Sequence, residues 1–401
     1  MGLEVVKDVE EKPAKKRKEP KPGIEVEGEK SDLVDLVEKV SRVVSPRSSH
    51  PVLGGIRLRV ADGLLEASAT NLELAVDATT AAGLSTDGVT VVPGRLFGSI
   101  LKALPPGRVV IRADASEIRV SSGRSTFSLS SLLVEDFPEF AAITEEFAVD
   151  LDAAEFGRAL RAVVPAVSPD EVRPVLTGVY FHLLGDAETH GLASTLTLAA
   201  TDSYRLALRT MTVKATHDFS EGRSAIIPGA SLVELQKHLA GVEGPVRISL
   251  GEAQAEVRLK GVRLRTRLIE GEYPKFQQLV PAPGTNNRIL TVGRTELFEV
   301  AARVSLVAGT NTPVKIALGE EIRLTAVEAG VGEGDEVLDG AVYEGEPMTV
   351  AFNPRFLGDA LDHTEGDRVR IELANPTKPS RIVGEGHDEL AWVVMPVRLS
   401  R

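Results

Sequence analysis

The chain has 401 residues, 43% of them hydrophobic, enough to bury several cores and to make roughly two to four domains. It has no cysteine, which excludes disulfides, thiolate metal sites and cysteine nucleophiles and fits a reducing cytoplasm. A formal net charge of −12 argues, as a sum, against nucleic-acid binding, because phosphates are neutralised by Lys and Arg; the distribution of charge must decide.

Residues 1–23 read as a disordered tail. Lys12 to Lys21 (KPAKKRKEPK) holds six basic residues, one acid and two prolines, with almost nothing to bury. Met1 to Lys30 lacks the apolar core of a signal peptide, and no run approaches the roughly 18 apolar residues of a membrane span.

From there the chain repeats itself. Ser31 is a plausible cap for a helix with Leu33, Leu36, Val37, Val40, Val43 and Val44 on one face. Strands follow in VLGGIRLRV, LLEASAT and LELAVDAT, then a second helix with Leu96, Phe97, Ile100, Leu101 and Leu104 that stops at Pro105-Pro106-Gly107. Strands resume in RVVIRA, EIRVSS and STFSLSS. The second copy keeps this order: a helix with Phe156, Leu160, Val163, Val164 and Val167, strands, a helix with Leu232, Leu235 and Leu239, and strands again. The third begins with Leu297, Ala301, Val304 and Val307 and places its second helix at AFNPRFLGDAL. A proline at the second helix recurs as Pro93, Pro228 and Pro354, a period of roughly 130 residues.

Each copy is itself doubled: helix, alternating strands, then the same again. Alternating strands bury one face and an amphipathic helix covers it, so the fold class is α+β, with antiparallel sheets. A run of six such units leaves open sheet edges at both ends. Closure into a ring, alone or with a second chain, would remove them.

All six predicted helices carry basic residues on their polar faces: Lys39 and Arg42, Arg95 and Lys102, Arg158 and Arg161, Lys237, Arg303, and Arg355. Asp35, Glu38, Glu155, Glu234 and Glu299 share these helices, so one reading is an ordinary mixed surface. The other is a helical wall less acidic than the outer face, touching phosphates sparsely and partly through water. Chemistry is hard to find. GxxxxGK, HExxH and GxSxG are absent, the seven histidines are scattered, and Asp335/Glu336 read as a solvated loop. No catalytic group, metal or cofactor is implied.

The segments VLGGIRLRVADG, GRSTFSLS, ATDSYRLA, GEYPKFQQLVP and VVMPVRL, in this order over about residues 24–401, resemble the bacterial DNA polymerase III β subunit, the sliding clamp. MPVRLSR and GEYPKFQQL are most similar to actinobacterial clamps. The resemblance implies three clamp domains, 24–146, 147–281 and 282–401, two chains forming a six-domain homodimeric ring, helices around the hole and sheets outside. It implies a non-enzymatic processivity factor in the cytoplasm that encircles double-stranded DNA without sequence preference. No membrane is involved.

The resemblance also implies sites. A partner pocket between the second and third domains would take short hydrophobic segments of the polymerase, the clamp loader and repair proteins. Its matching positions are Leu176, Thr201, Ser203, Tyr204, Arg205, Leu206, Pro274, Gln278, Leu279, Val393, Val394, Met395, Pro396, Val397 and Arg398. A deformable methionine suits a pocket with several partners, although VVMPV also reads as a last strand with a buried face. Arg47 matches a position that contacts the duplex, Arg173 lies near another, and Lys39, Arg42, Arg158, Arg161, Lys237 and Arg303 would face DNA. Phe127, Leu129 and Leu104 would meet Leu306 and Val307 of the other chain, or else fill their own cores. Gln277 stands where arginine is common, and Tyr204 occupies a variable pocket position. Three other readings stay open: an antibiotic-tolerant second clamp copy with an altered pocket that meets cyclic peptide antibiotics, an enzyme on repeated domains, and a monomeric protein-binding scaffold.

Overall fold

The computed structural model describes residues 23–45, 50–144, 147–185, 193–215, 222–282, 284–307, 309 and 312–399; the basic stretch Lys12–Lys21 and Arg47 lie outside them. The chain divides into two compact units. One holds residues up to Ala69 with Asp77–Pro138, the other Thr70–Val76 with residues from Glu139 onward.

In the first repeat β1 (Ile24–Glu29) leads into α1 (Lys30–Ser41), then β2 (Gly55–Ala61), β3 (Leu64–Thr70), β4 (Leu74–Ala81) and the short β5 (Ser85–Thr86). Then β6 (Gly88–Pro93) leads into α2 (Gly94–Ala103), followed by β7 (Arg108–Ala113), β8 (Glu117–Ser122) and β9 (Ser125–Ser130). The second repeat runs β10 (Phe147–Asp152), α3 (Ala153–Val163), β11 (Gly178–Gly185), β12 (Ala193–Thr201), β13 (Arg205–Ala215), β14 (Arg223–Pro228), α4 (Gly229–Leu239), β15 (Pro245–Leu250), β16 (Gln254–Leu259) and β17 (Val262–Arg267). The third runs β18 (Arg288–Gly293), α5 (Arg294–Val304), β19 (Val314–Leu318), β20 (Arg323–Glu328), β21 (Gly332–Val337), β22 (Val342–Glu344), β23 (Met348–Phe352), α6 (Pro354–Asp362), β24 (Arg368–Leu373), β25 (Ser380–Gly384) and β26 (His387–Val394).

The strands of each repeat cross-pair. The strand before the first helix pairs with the strand after the second: Val26 opposite Ile111, Val149 opposite Ile248, Leu290 opposite Ile371. The strand before the second helix pairs with the strand after the first: Leu58 opposite Thr90, Val179 opposite Ile227, Ile316 opposite Val350. Each repeat is thus two interlocked halves with a local twofold, and the helices touch in pairs: α1 with α2, α3 with α4, α5 with α6.

The apolar spacing explains the helix faces. α1 buries Leu33, Leu36, Val37 and Val40, and α5 buries Leu297, Val300, Ala301 and Val304, in each case one stripe of a 3.6-residue turn. Burying each of these leucine and valine side chains contributes about 1.5–3 kcal/mol. Leu96, expected on the inner face of α2, is instead half exposed, because the helix turns Phe97, Ile100 and Leu101 inward. Ser31 is not the cap of α1: the helix starts at Lys30 directly from β1, and the Lys30 N–H donates to the Gly107 carbonyl at 2.9 Å. The same solution recurs at Ala153 to Gly244 (3.0 Å) and Arg294 to Asp367 (2.8 Å), so a turn in the second half of each repeat satisfies a donor that every helix start leaves open.

The recurring proline is not in one register. Pro93 and Pro228 precede their helices, whereas Pro354 is the first helical residue, behind an Asn353 side chain that accepts from the Arg355 N–H at 2.9 Å. The glycine after Pro93 is needed for close approach: a Cβ on Gly94 would lie 3.1 Å from Ile56 Cγ1 and 3.2 Å from the Gly54 carbonyl.

Candidate functional site

The segment ATDSYRLA forms the turn between β12 and β13. Thr201 Oγ1 donates to the Arg205 carbonyl (2.6 Å) and accepts from the Ser203 N–H (3.1 Å). Asp202 Oδ1 accepts from the N–H groups of Tyr204 and Arg205, at 3.0 and 3.1 Å. Ser203 takes φ +79°, a left-handed conformation that these bonds hold in place. The same network is built in the first repeat by Thr70, Asn71 and Leu72 (φ +80°), with Asn71 Oδ1 accepting from Leu74 at 2.8 Å. The repeat therefore extends to individual turn hydrogen bonds. In the second copy its tip presents Tyr204, 61% exposed.

Arg205, behind that tip, is buried. Its guanidinium bonds Asp202 at 3.1 Å, the Pro165 carbonyl at 2.8 Å and, in a close contact, Asp359 on α6. It lies 4.8 Å from the ring centre of Phe356 and 5.9 Å from that of Trp392, and Tyr204 stacks on Phe356 at 6.0 Å. One arginine thus fastens the second repeat to the third. β13 continues the junction by pairing antiparallel with β26, Arg205 opposite Val394 and Leu206 opposite Val393, and the Met395 N–H donates to the Tyr204 carbonyl at 2.9 Å.

Beneath this junction Leu206, Val393, Ala199 and Phe276 form one buried cluster, with Tyr180, Leu208, Tyr273 and Val280 packed against it. The segment carrying Pro274, Gln278 and Leu279 is anchored there by Phe276, and all three side chains are exposed. Leu279 (57% exposed) and Met395 (37%) are apolar groups left on the surface of this region. Arg173, expected near DNA, reaches the turn: it donates to Ser203 Oγ at 2.9 Å and pairs with Asp170 at 3.6 Å.

The remaining matched positions have other duties. Thr201 and Leu176 are buried, and the Leu176 carbonyl accepts from the Ser168 N–H. Val394 is fully buried in the sheet. Pro396 is buried and Val397 donates to the Ala351 carbonyl of β23 at 2.7 Å, which secures the C-terminal segment; Arg398 is exposed.

Of the candidate duplex-facing residues, Lys39 is paired with Asp35 (2.6 Å), Lys237 with Glu234 (2.8 Å), and Arg303 with Glu336 (2.6 Å) and Glu299 (3.6 Å). Hydrogen bonding to Glu336 holds the Arg303 guanidinium above its usual range. Arg42 is exposed at the end of α1. Arg158 and Arg161 are exposed on α3, and neither makes an ion pair among the described residues. Asp335 and Glu336 are not solvated loop acids: they lie on β21 and pair with Arg323 and Arg303.

Among the apolar positions, Leu104 and Leu129 are buried within their own unit and offer no surface to a second chain. Phe127 (39% exposed) lies on β9, the edge strand of the sheet β5-β1-β7-β8-β9. Leu306 (84% exposed) and the half-buried Val307 follow α5 in the unit whose sheet β21-β20-β19-β23 has β21 at its edge.

Residue reading missed Arg209, Glu365, His387 and Glu389. Arg209 on β13 reaches Glu365 at 3.1 Å and Glu389 at 3.5 Å, with His387 Nδ1 3.5–3.6 Å from the same carboxylates. These ligand atoms lie close enough for a metal ion, but the Arg209 guanidinium already supplies the cation. Asp359 and Phe356 were also missed, since nothing in their local sequence points to a turn in another repeat.

Comparison with known proteins gives one result along the whole chain. Family models of the DNA polymerase III β subunit match in order: the N-terminal domain at residues 24–141, the central domain at 150–275 and the C-terminal domain at 278–398. The β sliding clamp of Streptomyces coelicolor is 30% identical over 93% of this chain and 98% of its own length. That of Staphylococcus aureus is 30% identical over 89% and 94%. Among solved structures, the Bartonella birtlesii sliding clamp bound to griselimycin superposes with a TM-score of 0.87 at 29% identity, over 94% of this chain and all of that one. The Bacillus subtilis clamp gives 0.85 at 28% identity, over 95% of this chain.

Proposed function

The chain belongs to the DNA polymerase III β-subunit family, the sliding clamps, and from that premise we propose that two copies close around duplex DNA and hold partner proteins at the Tyr204–Met395 junction. A sliding clamp is a processivity factor and not an enzyme. Its action is topological: a closed ring cannot leave DNA by simple dissociation, so weak phosphate contacts are enough, and tethering raises the local concentration of the polymerase.

In this reading the domains are 24–146, 147–281 and 282–401, and the protein acts in the cytoplasm with the replication machinery. Arg158 and Arg161, with Arg95 on α2, are the phosphate contacts this reading favours, since no ion pair among the described residues takes up their charge. The exposed Phe127 and Leu306, each near a sheet edge, would meet across the homodimer. No described helix is long and apolar enough to cross a membrane.

One observation carries the partner site. The pairing of β13 with β26 brings the Ser203–Tyr204 tip beside Met395, over an apolar floor of Leu206, Phe276 and Val393. A short segment from the polymerase or the clamp loader with one or two apolar anchors fits such a groove. A cyclic peptide of the griselimycin kind would compete for it; the matches lend no specific support to an antibiotic-tolerant second copy.

Truncation before Met395 should abolish binding of a polymerase-derived peptide while leaving the dimer. Because Val397 also bonds β23, the milder Met395→Ala should be tested too, with a loss of roughly tenfold. Unchanged affinity in fluorescence anisotropy for both variants would refute the assignment.

A further inference from the structure

A cavity of about 510 Å³ opens on the second repeat, outside the Tyr204–Met395 groove. Its wall is the chain from Leu268 to Gln277, tied down where the Leu268 N–H donates to the Ala253 carbonyl and the Ile269 N–H to the Ile226 carbonyl, both at 2.9 Å. Three aromatic rings line the cavity. Tyr180 and Tyr273 stack at 5.0 Å, and Phe276 meets their edges at 5.9 and 6.1 Å. Tyr273 and Phe276 belong at the same time to the cluster under Leu206 and Val393. One aromatic wall therefore separates the cavity from the partner groove and serves both.

The mouth is acidic. Glu252, Glu270 and Glu272 line it, against a single ammonium, Lys275. All three carboxylates are exposed, and among the described residues none makes an ion pair. This differs from the rest of the junction, where Asp202, Asp359, Glu365 and Glu389 are each taken up by an arginine. A half-open cavity with aromatic rings in its wall and unspent negative charge at its mouth matches a long cationic side chain, whose methylene stem lies on the rings while its head meets the carboxylates.

We propose that this cavity receives a lysine or arginine side chain that a docked peptide carries a few residues from its apolar anchors. The proposal rests on the partner-site reading above. It adds a rule of selection: among segments with equal anchors, the clamp prefers those with a basic flank. The preference is electrostatic at a partly open site, so it weakens with salt.

The test uses the full chain and synthetic peptides with two leucine anchors, carrying either lysine or norleucine three to six residues away, read by anisotropy. At low salt the lysine peptide should bind roughly threefold to tenfold tighter at its best position. The preference should vanish in the triple variant Glu252→Gln/Glu270→Gln/Glu272→Gln and at high salt, while norleucine peptide affinity stays the same. Equal binding of both peptides to the unmodified chain, with both lost on truncation before Met395, overturns the proposal and leaves the partner groove standing. A lysine preference that survives the triple variant also overturns it. If neither peptide binds the unmodified chain, the groove reading falls and takes this proposal with it.

Discussion

Arg205 shows how far single residues could be read. Its neighbours Thr201 and Asp202 stand beside it in ATDSYRLA, and the turn they build was within reach of the sequence. Asp359, Phe356 and the Pro165 carbonyl were not, because nothing local tells an arginine which distant acid it will meet. The structure gives this side chain three bonded partners and two aromatic faces in a buried place. Arg205→Met should therefore cost roughly 3–5 kcal/mol in urea unfolding, since it strands carboxylates that were paired. Arg205→Lys should recover only part, because a single ammonium cannot span the fork. A loss below about 1 kcal/mol for the methionine variant would show that solvent can replace all three bonds. The partly buried Tyr273 makes the same point in milder form. Burial pushes its hydroxyl above the usual tyrosine range, and only its place in the apolar cluster, unseen in GEYPKFQQL, explains that.

Helices and strands were the most legible level. Periods of 3.6 and 2 residues located the six α-helices of the described residues and most of their strands, because one buried face forces one spacing. The failures are local. Leu96 fits an apolar stripe by count but falls on its outer border, and GEGDEV hides a strand because its acids pair with arginines of other elements. Edges are a different matter, since a strand's sequence does not say whether it has one neighbour or two. β9 and β21 each have only one ladder partner among the described residues, and each unit also exposes a large apolar side chain, Phe127 or Leu306. Leu306→Asp should weaken the proposed dimer by roughly thirtyfold or more, about 2 kcal/mol for a lost apolar anchor. Sedimentation at micromolar concentration should then show the 43 kDa chain as a monomer. An unchanged dimer would remove Leu306 from the interface.

At the scale of the molecule the threefold repeat was plain in the sequence, and so was its doubling. What holds neighbouring repeats was not, since β13–β26 pairing and the Arg205 bonds cross between segments with no shared pattern. The charge sum of −12 hides position: Lys39, Lys102, Lys237, Arg303 and Arg355 on the helices are matched by adjacent acids, whereas Arg95, Arg158 and Arg161 are exposed and make no ion pair among the described residues. If enclosure holds the chain on DNA, it should outlast a high-salt wash on circular DNA and run off linear DNA of equal length. Arg158→Ala/Arg161→Ala should lower the salt dependence of direct binding by roughly two phosphate equivalents and leave circular retention nearly intact. Equal loss from both DNAs would mean the ring does not act as an enclosure. The interlocked halves have a further consequence, for synthesis. Val26 finds Ile111, and Val149 finds Ile248, only when almost a whole repeat has been made. Until then the first strand of a nascent chain has only a two-residue pairing, Glu25 and Val26 with Thr86 and Ser85 or Val149 and Asp150 with Ala215 and Lys214, so a chain cut inside a repeat is left with open strand edges that invite aggregation.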